Sequence, residues 1–253
     1  MIRFEKVTKV LGGKPVLDGI DFEINRGETF CIVGASGAGK SVTLKHMVRL
    51  MTPDDGRILV AGDDVGSATG ADLARVRNRF GYLFQSAALL AWLSVAENVA
   101  LPLREKHDVD EDEILDRVHK TLAMVGLEND GAKVPSEISG GMRKRAGLAR
   151  AIIESPEIIL YDEPTSGLDP VTSRTIDRLI GKLREDLGVT SVVVTHDLHS
   201  ALAIGTRIAM LNRGRIAEIA TPEAFMESSS EEVQRFLAAQ YITKEAPWER
   251  DQQ

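Results

Sequence analysis

Residues 34–41 read GASGAGKS, a run of glycines ending in Lys40 and Ser41 that suits the holding of a phosphate chain. Glycines let the backbone curl so that successive N–H groups converge on phosphate oxygens, and a helix starting at Lys40 adds the positive end of its dipole. Lys40 supplies a point charge to the β- and γ-phosphates, and the Ser41 hydroxyl can ligate Mg2+. Gly34, Ala35, Ser36, Gly37, Ala38, Gly39, Lys40, Ser41 and Val42 are therefore the candidate nucleotide contacts. Average composition gives this pattern by chance in about one chain in a hundred of this size. The apolar run TFCIVG before it and a helical stretch after it make chance a poor account.

A metal-bound triphosphate also needs a carboxylate at the end of a neighbouring strand. IILYDE offers four largely apolar positions and then Asp162 and Glu163. Asp162 is the candidate metal ligand, and Glu163 the group that would polarise an attacking water. Gln85 closes the run FGYLFQ and is a candidate for both metal and water. His196 closes VVVTH and is a candidate donor to the γ-phosphate. SGLD, residues 166–169, follows Glu163 closely enough for Asp169 to reach a subunit boundary.

A second glycine-bearing stretch, ISGGMRKRAGLAR at 138–150, sets two glycines behind a serine and follows them with three successive cations. Ser139 is a good N-cap, Gly140 and Gly141 permit close backbone approach, and a helix beginning there would attract an anion. Arg143, Lys144 and Arg145 then oppose the dipole in the first turns, an arrangement that suits the docking of a triphosphate. Nucleic-acid binding would require a broad basic face with stacking aromatics. The net charge of −7 and the 5% aromatic content argue against that class of partner.

These residues need elements to position them. GIDFEINRG alternates Ile20, Phe22 and Ile24 with polar residues, as a half-buried antiparallel strand does. TFCIVG reads as a buried parallel strand, followed by a helix from Lys40 to about Leu50 and the turn TPDDG. A strand at RILVAG, a short helix at ADLARVR and a strand at FGYLFQ come next. From about Ser86 to Ser155 the pattern is helical, in SVAENVALPLRE, EDEILDRVHKTLAMVGL and GMRKRAGLARAIIES. Strand–helix alternation then returns with EIILYDE, a helix near 171–187, TSVVVTHD, a helix near 198–204, RIAMLN and RIAEIA. The pattern predicts an α/β core interrupted by a helical insertion.

The 253 residues, 43% hydrophobic and 27% charged, describe an ordinary globular chain. The only cysteine, Cys31, sits in a buried run, which suits a core position in a reducing compartment. Neither a targeting segment nor an 18-residue apolar span is expected, so service to a membrane would run through a partner.

In order, GASGAGKS, LFQ, ISGGM, ILYDEP, SGLDP and VVVTHD resemble the ATP-binding subunit of an ABC transporter, over roughly residues 1–220. The resemblance implies a P-loop (RecA-like) α/β core with an N-terminal antiparallel β region and an inserted α-helical subdomain at about 86–155. Residues 221–253 would form a C-terminal helix and tail. It implies ATP and Mg2+ as ligands, and a homodimer in which Ser139-Gly140-Gly141 binds the γ-phosphate of ATP held by the other subunit. An integral membrane permease is the implied partner. Two positions depart from the family pattern. Met142 replaces the usual glutamine, and Leu11 stands where an aromatic normally stacks on adenine, so base discrimination is expected to be weak.

LFQSAALLAWLSVAENVALPLRE and SGGMRKRAGLARAI further resemble the MlaF-type ATPases of Mla/Mce systems, which implies lipid transport from the cytoplasmic face of a bacterial inner membrane. Leu89, Leu90, Trp92 and Leu93 form an apolar cluster just after Gln85. It reads either as core of the helical insertion or as a groove for a permease helix. A nutrient importer is the closest rival reading. A soluble ABC-type ATPase of DNA repair or translation fits less well, because one ATPase half, one cysteine and no sustained heptads are present. The tail KEAPWERDQQ, with Trp248, reads either as disordered or as packing on the neighbouring subunit.

Overall fold

The computed structural model describes residues 1–106, 109–240 and 242. Its first strands, β1 (Ile2–Leu11) and β2 (Lys14–Ile24), pair antiparallel with Ile2 opposite Ile24, Phe4 opposite Phe22 and Val7 opposite Ile20. The inward side chains of both are buried, while Arg3 and Glu23 form an ion pair on the outer face. β3 (Thr29–Val33) is buried throughout, and α1 (Lys40–Met47) follows it. That helix stops short of Leu50 because Arg49 takes a left-handed φ of 52° and starts the turn into β4 (Asp55–Val60). After β5 (Asp63–Asp64) and α2 (Gly70–Arg77), β6 (Phe80–Leu83) ends two residues before Gln85, which lies in the loop beyond it.

Three helices then follow, α3 (Val95–Lys106), α4 (Glu111–Met124) and α5 (Gly140–Ile152). Asp110 caps α4 through the Asp112 N–H, and Ser139 caps α5 through the Met142 N–H. The chain continues as β7 (Ile158–Asp162), α6 (Pro170–Leu187), β8 (Thr190–Thr195), α7 (Leu198–Ile204), β9 (Arg207–Asn212) and β10 (Arg215–Ala220). Thr221 caps α8 (Pro222–Met226), which the sequence pattern did not announce, and α9 (Glu231–Ala239) ends the described helices. The tail from 244 onward lies outside the described residues.

The strands form two sheets, ordered β2-β1-β4-β5 and β10-β9-β3-β8-β7-β6. β9, β3, β8, β7 and β6 run parallel, and β10 adds an antiparallel edge to β9. Continuous apolar runs are required because the parallel strands are covered on both faces. Strand periodicity divides those runs between two cores. Phe30, Ile32, Ile158, Leu160, Val192 and Val194 pack with Phe4, Ile24 and Leu44, towards the antiparallel sheet and α1. Cys31, Val33, Ile159, Tyr161 and Val193 pack with Val99, Leu148, Ile176 and Leu198, towards the helices.

The carboxyl ends of β3, β7 and β8 therefore lie side by side, and the residues that follow them, Gly34, Glu163 and His196, share one edge. This is where parallel sheets bind ligands. α5 is pressed against β6 and its loop. A Cβ on Gly81 would stand 2.1 Å from the Ala151 carbonyl oxygen, and one on Gly147 2.9 Å from the Ala87 Cβ. Gly81→Ala is expected to force these elements apart at a cost of about 1–3 kcal/mol. Urea unfolding checks this, and an unchanged midpoint would show that the contact yields freely.

Candidate functional site

Three glycines shape the loop between β3 and α1. Gly39 has φ 106° and Gly37 φ 79°, conformations that side-chain-bearing residues resist. A Cβ on Gly39 would stand 2.8 Å from the Val16 carbonyl oxygen, and one on Gly34 2.2 Å from that of Leu211. Among the described residues no side chain caps α1, so its first N–H groups belong to this loop. Lys40 is buried, and its Nζ donates to the carbonyls of Gly34 (3.0 Å) and Ala35 (3.2 Å). The loop folds around its own lysine.

Ser41 Oγ donates to Asp162 Oδ1 at 2.7 Å, bringing together residues 121 positions apart. The Tyr82 hydroxyl reaches Asp162 Oδ2 at 3.4 Å, and burial beside that carboxylate pushes the phenol well above its ordinary pKa. Glu163 adopts a left-handed φ of 49°, with its N–H bonded to the Val194 carbonyl. Its carboxylate lies between two cations or donors: Oε1 is 3.4 Å from Lys40 Nζ, and Oε2 is 2.7 Å from His196 Nδ1. A cleft of about 450 Å³ opens here, lined by Ser36, Gly37, Gly39, Lys40, Ser41, Val42, Gln85, Glu163, His196 and Val16. Residues predicted from four separate stretches of sequence thus converge on one cleft. Leu11 is exposed at the end of the β1–β2 hairpin and is not among the lining residues, where Val16 forms the wall on that side.

Ser139, Gly140, Gly141 and Asp169 lie outside this cleft. Ser139 caps α5, and Gly141 is bare because a Cβ would meet Thr172 Cγ2 at 2.4 Å. Asp169 caps α6 by accepting from the Val171 and Thr172 N–H groups, each at 3.0 Å. Bonds from the Thr172 hydroxyl and N–H hold the Asp169 carboxyl below the usual range.

The cations after Gly141 correct a sequence-based expectation. Each donates to main-chain carbonyls. Arg143 donates to the Ile138 carbonyl at 2.7 Å, and Arg145 to the carbonyls of Val125 and Gly126. Lys144 is only 5% exposed, and its Nζ donates to the carbonyls of Gln85 (2.6 Å) and Glu163 (2.8 Å). Burial draws this ammonium down to about 8, against the attraction of Asp162 and Glu163. A basic run reads in sequence as solvated charge, and nothing local says that its lysine turns inward.

Gln240, at the end of α9, was also invisible to motif reading. Its amide accepts from the Leu198 N–H at 3.0 Å and donates to the His196 carbonyl, tying the C-terminal helix to the His196 loop.

Residues 17–166 match the family pattern of the ABC transporter. The chain belongs to the ABC transporter family. This ABC cassette is 39% identical over 241 residues to a Mycobacterium leprae protein named "Probable ribonucleotide transport ATP-binding protein mkl", covering 95% of this chain and 70% of that one. It is also 39% identical over 240 residues to the methionine import ATP-binding protein MetN of Caulobacter vibrioides, covering 94% and 72%. Among solved structures it is similar to a dimeric ATP-binding cassette in a post-hydrolysis state bound to ADP and Pi. There the TM-score is 0.80 and the identity 33%, over 88% of this chain and 99% of that one. The cassette is an ATPase, the ATP-binding subunit of an ABC transporter. Its mixed α/β fold, with an antiparallel N-terminal sheet and a parallel-rich sheet, is the one expected from sequence.

Gly39→Ala is expected to weaken ATP binding about tenfold or more, because the φ of 106° and the Val16 contact add strain of about 1–3 kcal/mol. Titration with a fluorescent ATP analogue measures it. Wild-type affinity would show that the loop tolerates a side chain there.

Proposed function

We propose that two copies of this cassette close head to tail around two ATP molecules, each held between Lys40 of one copy and Ser139 of the other, and drive phospholipid transport through an integral membrane permease. One observation carries the composite site. Ser139, Gly140 and Gly141 begin a capped helix outside the cleft that contains Lys40. A helix N-terminus there favours an anion from a second copy. The dimeric cassettes among its structural neighbours support the same assembly.

Phosphate oxygens would replace the Gly34 and Ala35 carbonyls as acceptors from Lys40, since an ammonium bonds a charged acceptor more strongly than a neutral one. That exchange loosens the Lys40–Glu163 pair and leaves Glu163 to take a proton from the attacking water. His196, bonded to Glu163 and 59% exposed, is placed to donate to the γ-phosphate. Gln85 lies at the mouth of the cleft, where it can hold the water. Asp169 and its neighbours would face the second copy. The oxygen donors Ser41 Oγ and Asp162 Oδ1, already 2.7 Å apart, suit Mg2+, with Gln85 as a further ligand. When bound, the ion would neutralise charge on the β- and γ-phosphates.

Glu163→Gln keeps the side-chain shape and removes its basicity. Turnover is expected to fall by about 10²–10⁴ while ATP still binds, so an ATP-bound dimer should accumulate on size-exclusion chromatography. Near-normal hydrolysis would remove Glu163 as the base, and a monomer at every ATP concentration would remove the composite site.

None of the described helices is long and apolar enough to cross a membrane. A permease contact is supplied instead by the segment after Gln85, where Trp92 is 77% exposed beside half-buried Leu89, Leu90 and Leu93. Buried Asn98 fixes this segment, accepting from the Leu90 N–H and donating to the carbonyls of Leu90, Leu93 and Ser94. The lipid reading rests on the likeness of residues 83–105 and 139–152 to MlaF-type ATPases, and it locates the cassette on the cytoplasmic face of a bacterial inner membrane. The named relatives, assigned to ribonucleotide transport and methionine import, favour a small-solute importer as the second reading.

Leu90→Asp is expected to release the cassette from membranes with basal ATPase activity intact, because burying an unpaired charge in the contact is costly. Purification of the wild-type complex with identification of its bound ligand then separates the cargo readings. Phospholipid supports the first, whereas a solute-binding protein as sole companion supports the second.

A further inference from the structure

The run MRKRAGLAR holds two cations that end on the segment carrying Gln85. Lys144 donates to the Gln85 carbonyl, and Arg150 donates to those of Ala87 (2.7 Å) and Ala88 (2.8 Å). The segment needs holding, since Ala87 and Ala88 take successive left-handed conformations, φ 59° and 48°. Glu163, whose carbonyl is the second acceptor of Lys144, has φ 49°. Such conformations in residues with side chains persist only where the surroundings over-determine them.

We propose that Lys144 is a positioning residue for ATP hydrolysis, its buried ammonium fixing the Gln85 and Glu163 main chains to one another and to the helix that starts at Ser139. The proposal rests on the roles given above to Gln85 and Glu163. One nitrogen joins three stretches separated by 59 and 19 residues. Among the described residues no carboxylate oxygen is a hydrogen-bond partner of Lys144, whose charge faces two carbonyl dipoles. Burying an ammonium in this way opposes folding, and an apolar side chain of similar length would pack at lower cost. What the charge secures is geometry: when Ser139 engages ATP on the other copy, movement of α5 carries Gln85 and Glu163 with it as a unit.

The charged groups around Lys144 are Asp162 and Glu163 at the end of β7, with Lys40 and His196 held on the Glu163 carboxylate. Tyr82 on β6 faces Asp162 with its phenol kept protonated by burial, and Arg143 and Arg145 on the same helix are bonded elsewhere.

The test compares the full-length wild type with Lys144→Met, which keeps length without a donor, and Lys144→Arg, which keeps charge and donors. Lys144→Met is expected to lower kcat about 10- to 100-fold, the effect of a small misplacement of reacting groups. Its KM for ATP should stay within about threefold and its thermal midpoint at pH 7 should not fall, with Lys144→Arg recovering part of kcat. Wild-type kcat in a folded Lys144→Met overturns the proposal, as does a loss of kcat that matches a loss of stability in both variants. Should Lys144→Met fail to fold, Lys144→Gln, an uncharged side chain on a shorter stem, decides, and wild-type kcat in that folded variant overturns the proposal. Full turnover in Glu163→Gln would remove Glu163 as base while leaving the Lys144 result standing, so the two ideas fail separately.

Discussion

Lys40 and Glu163 hold opposite charges 3.4 Å apart, both with little access to water, at the rim of a parallel sheet. Neither could be buried there alone, because an unpaired charge in such surroundings costs several kcal/mol. The pair constrains everything near it. It fixes the lysine inside its own glycine loop, where two carbonyls take the remaining donors, and it turns the Glu163 carboxylate towards His196. In the proposed site an incoming phosphate would find a cation already desolvated and aimed, which is the preorganisation that electrostatic catalysis uses.

The pair can form only because the sheet is parallel. β3, β7 and β8 end on the same edge, and strand order brings the ends of β3 and β7 to either side of β8. Side-chain alternation then gives each strand two faces to fill, one against the antiparallel sheet and one against the helices. Both faces are apolar, so the polar groups of these strands gather at their ends, where the loops carry Gly34, Glu163 and His196. Packing that leaves no room for water along the strands is also what keeps Asp162 and Glu163 beside their partners.

The helix after Ser139 meets a different constraint. Three cations in its first turns oppose its dipole, and each is satisfied by main-chain carbonyls: Arg143 by Ile138, Lys144 by Gln85 and Glu163, Arg145 by Val125 and Gly126. The helix is thereby bound to the core at its start, and Gly81 and Gly147 let it lie against β6 along its length. In the proposed dimer its N-terminus would meet an anion through its N–H groups rather than through its basic side chains. The shared phosphate chemistry is indifferent to cargo, which fits relatives named for ribonucleotide transport and for methionine import.

By itself the sequence determined which candidates the fold would gather, the glycine loop at 34–41, Asp162, Glu163, Gln85 and His196, and most elements of the α/β core. These are local signals: glycine spacing, apolar runs ended by acids, and alternation of period two in Ile20, Phe22 and Ile24. It did not reveal β1 as a strand, because Arg3, Glu5 and Lys6 mask its buried Ile2, Phe4 and Val7, and it missed α8, a single short turn of helix. Nor did it reveal that Lys144 turns inward, that Arg150 holds Ala87 and Ala88, or that Gln240 reaches the His196 loop. Those contacts join side chains to carbonyls far along the chain, and every residue offers a carbonyl, so the acceptor leaves no mark in the sequence. Only the packing of α5 on β6, and of α9 beside α7, decides which carbonyl lies within reach.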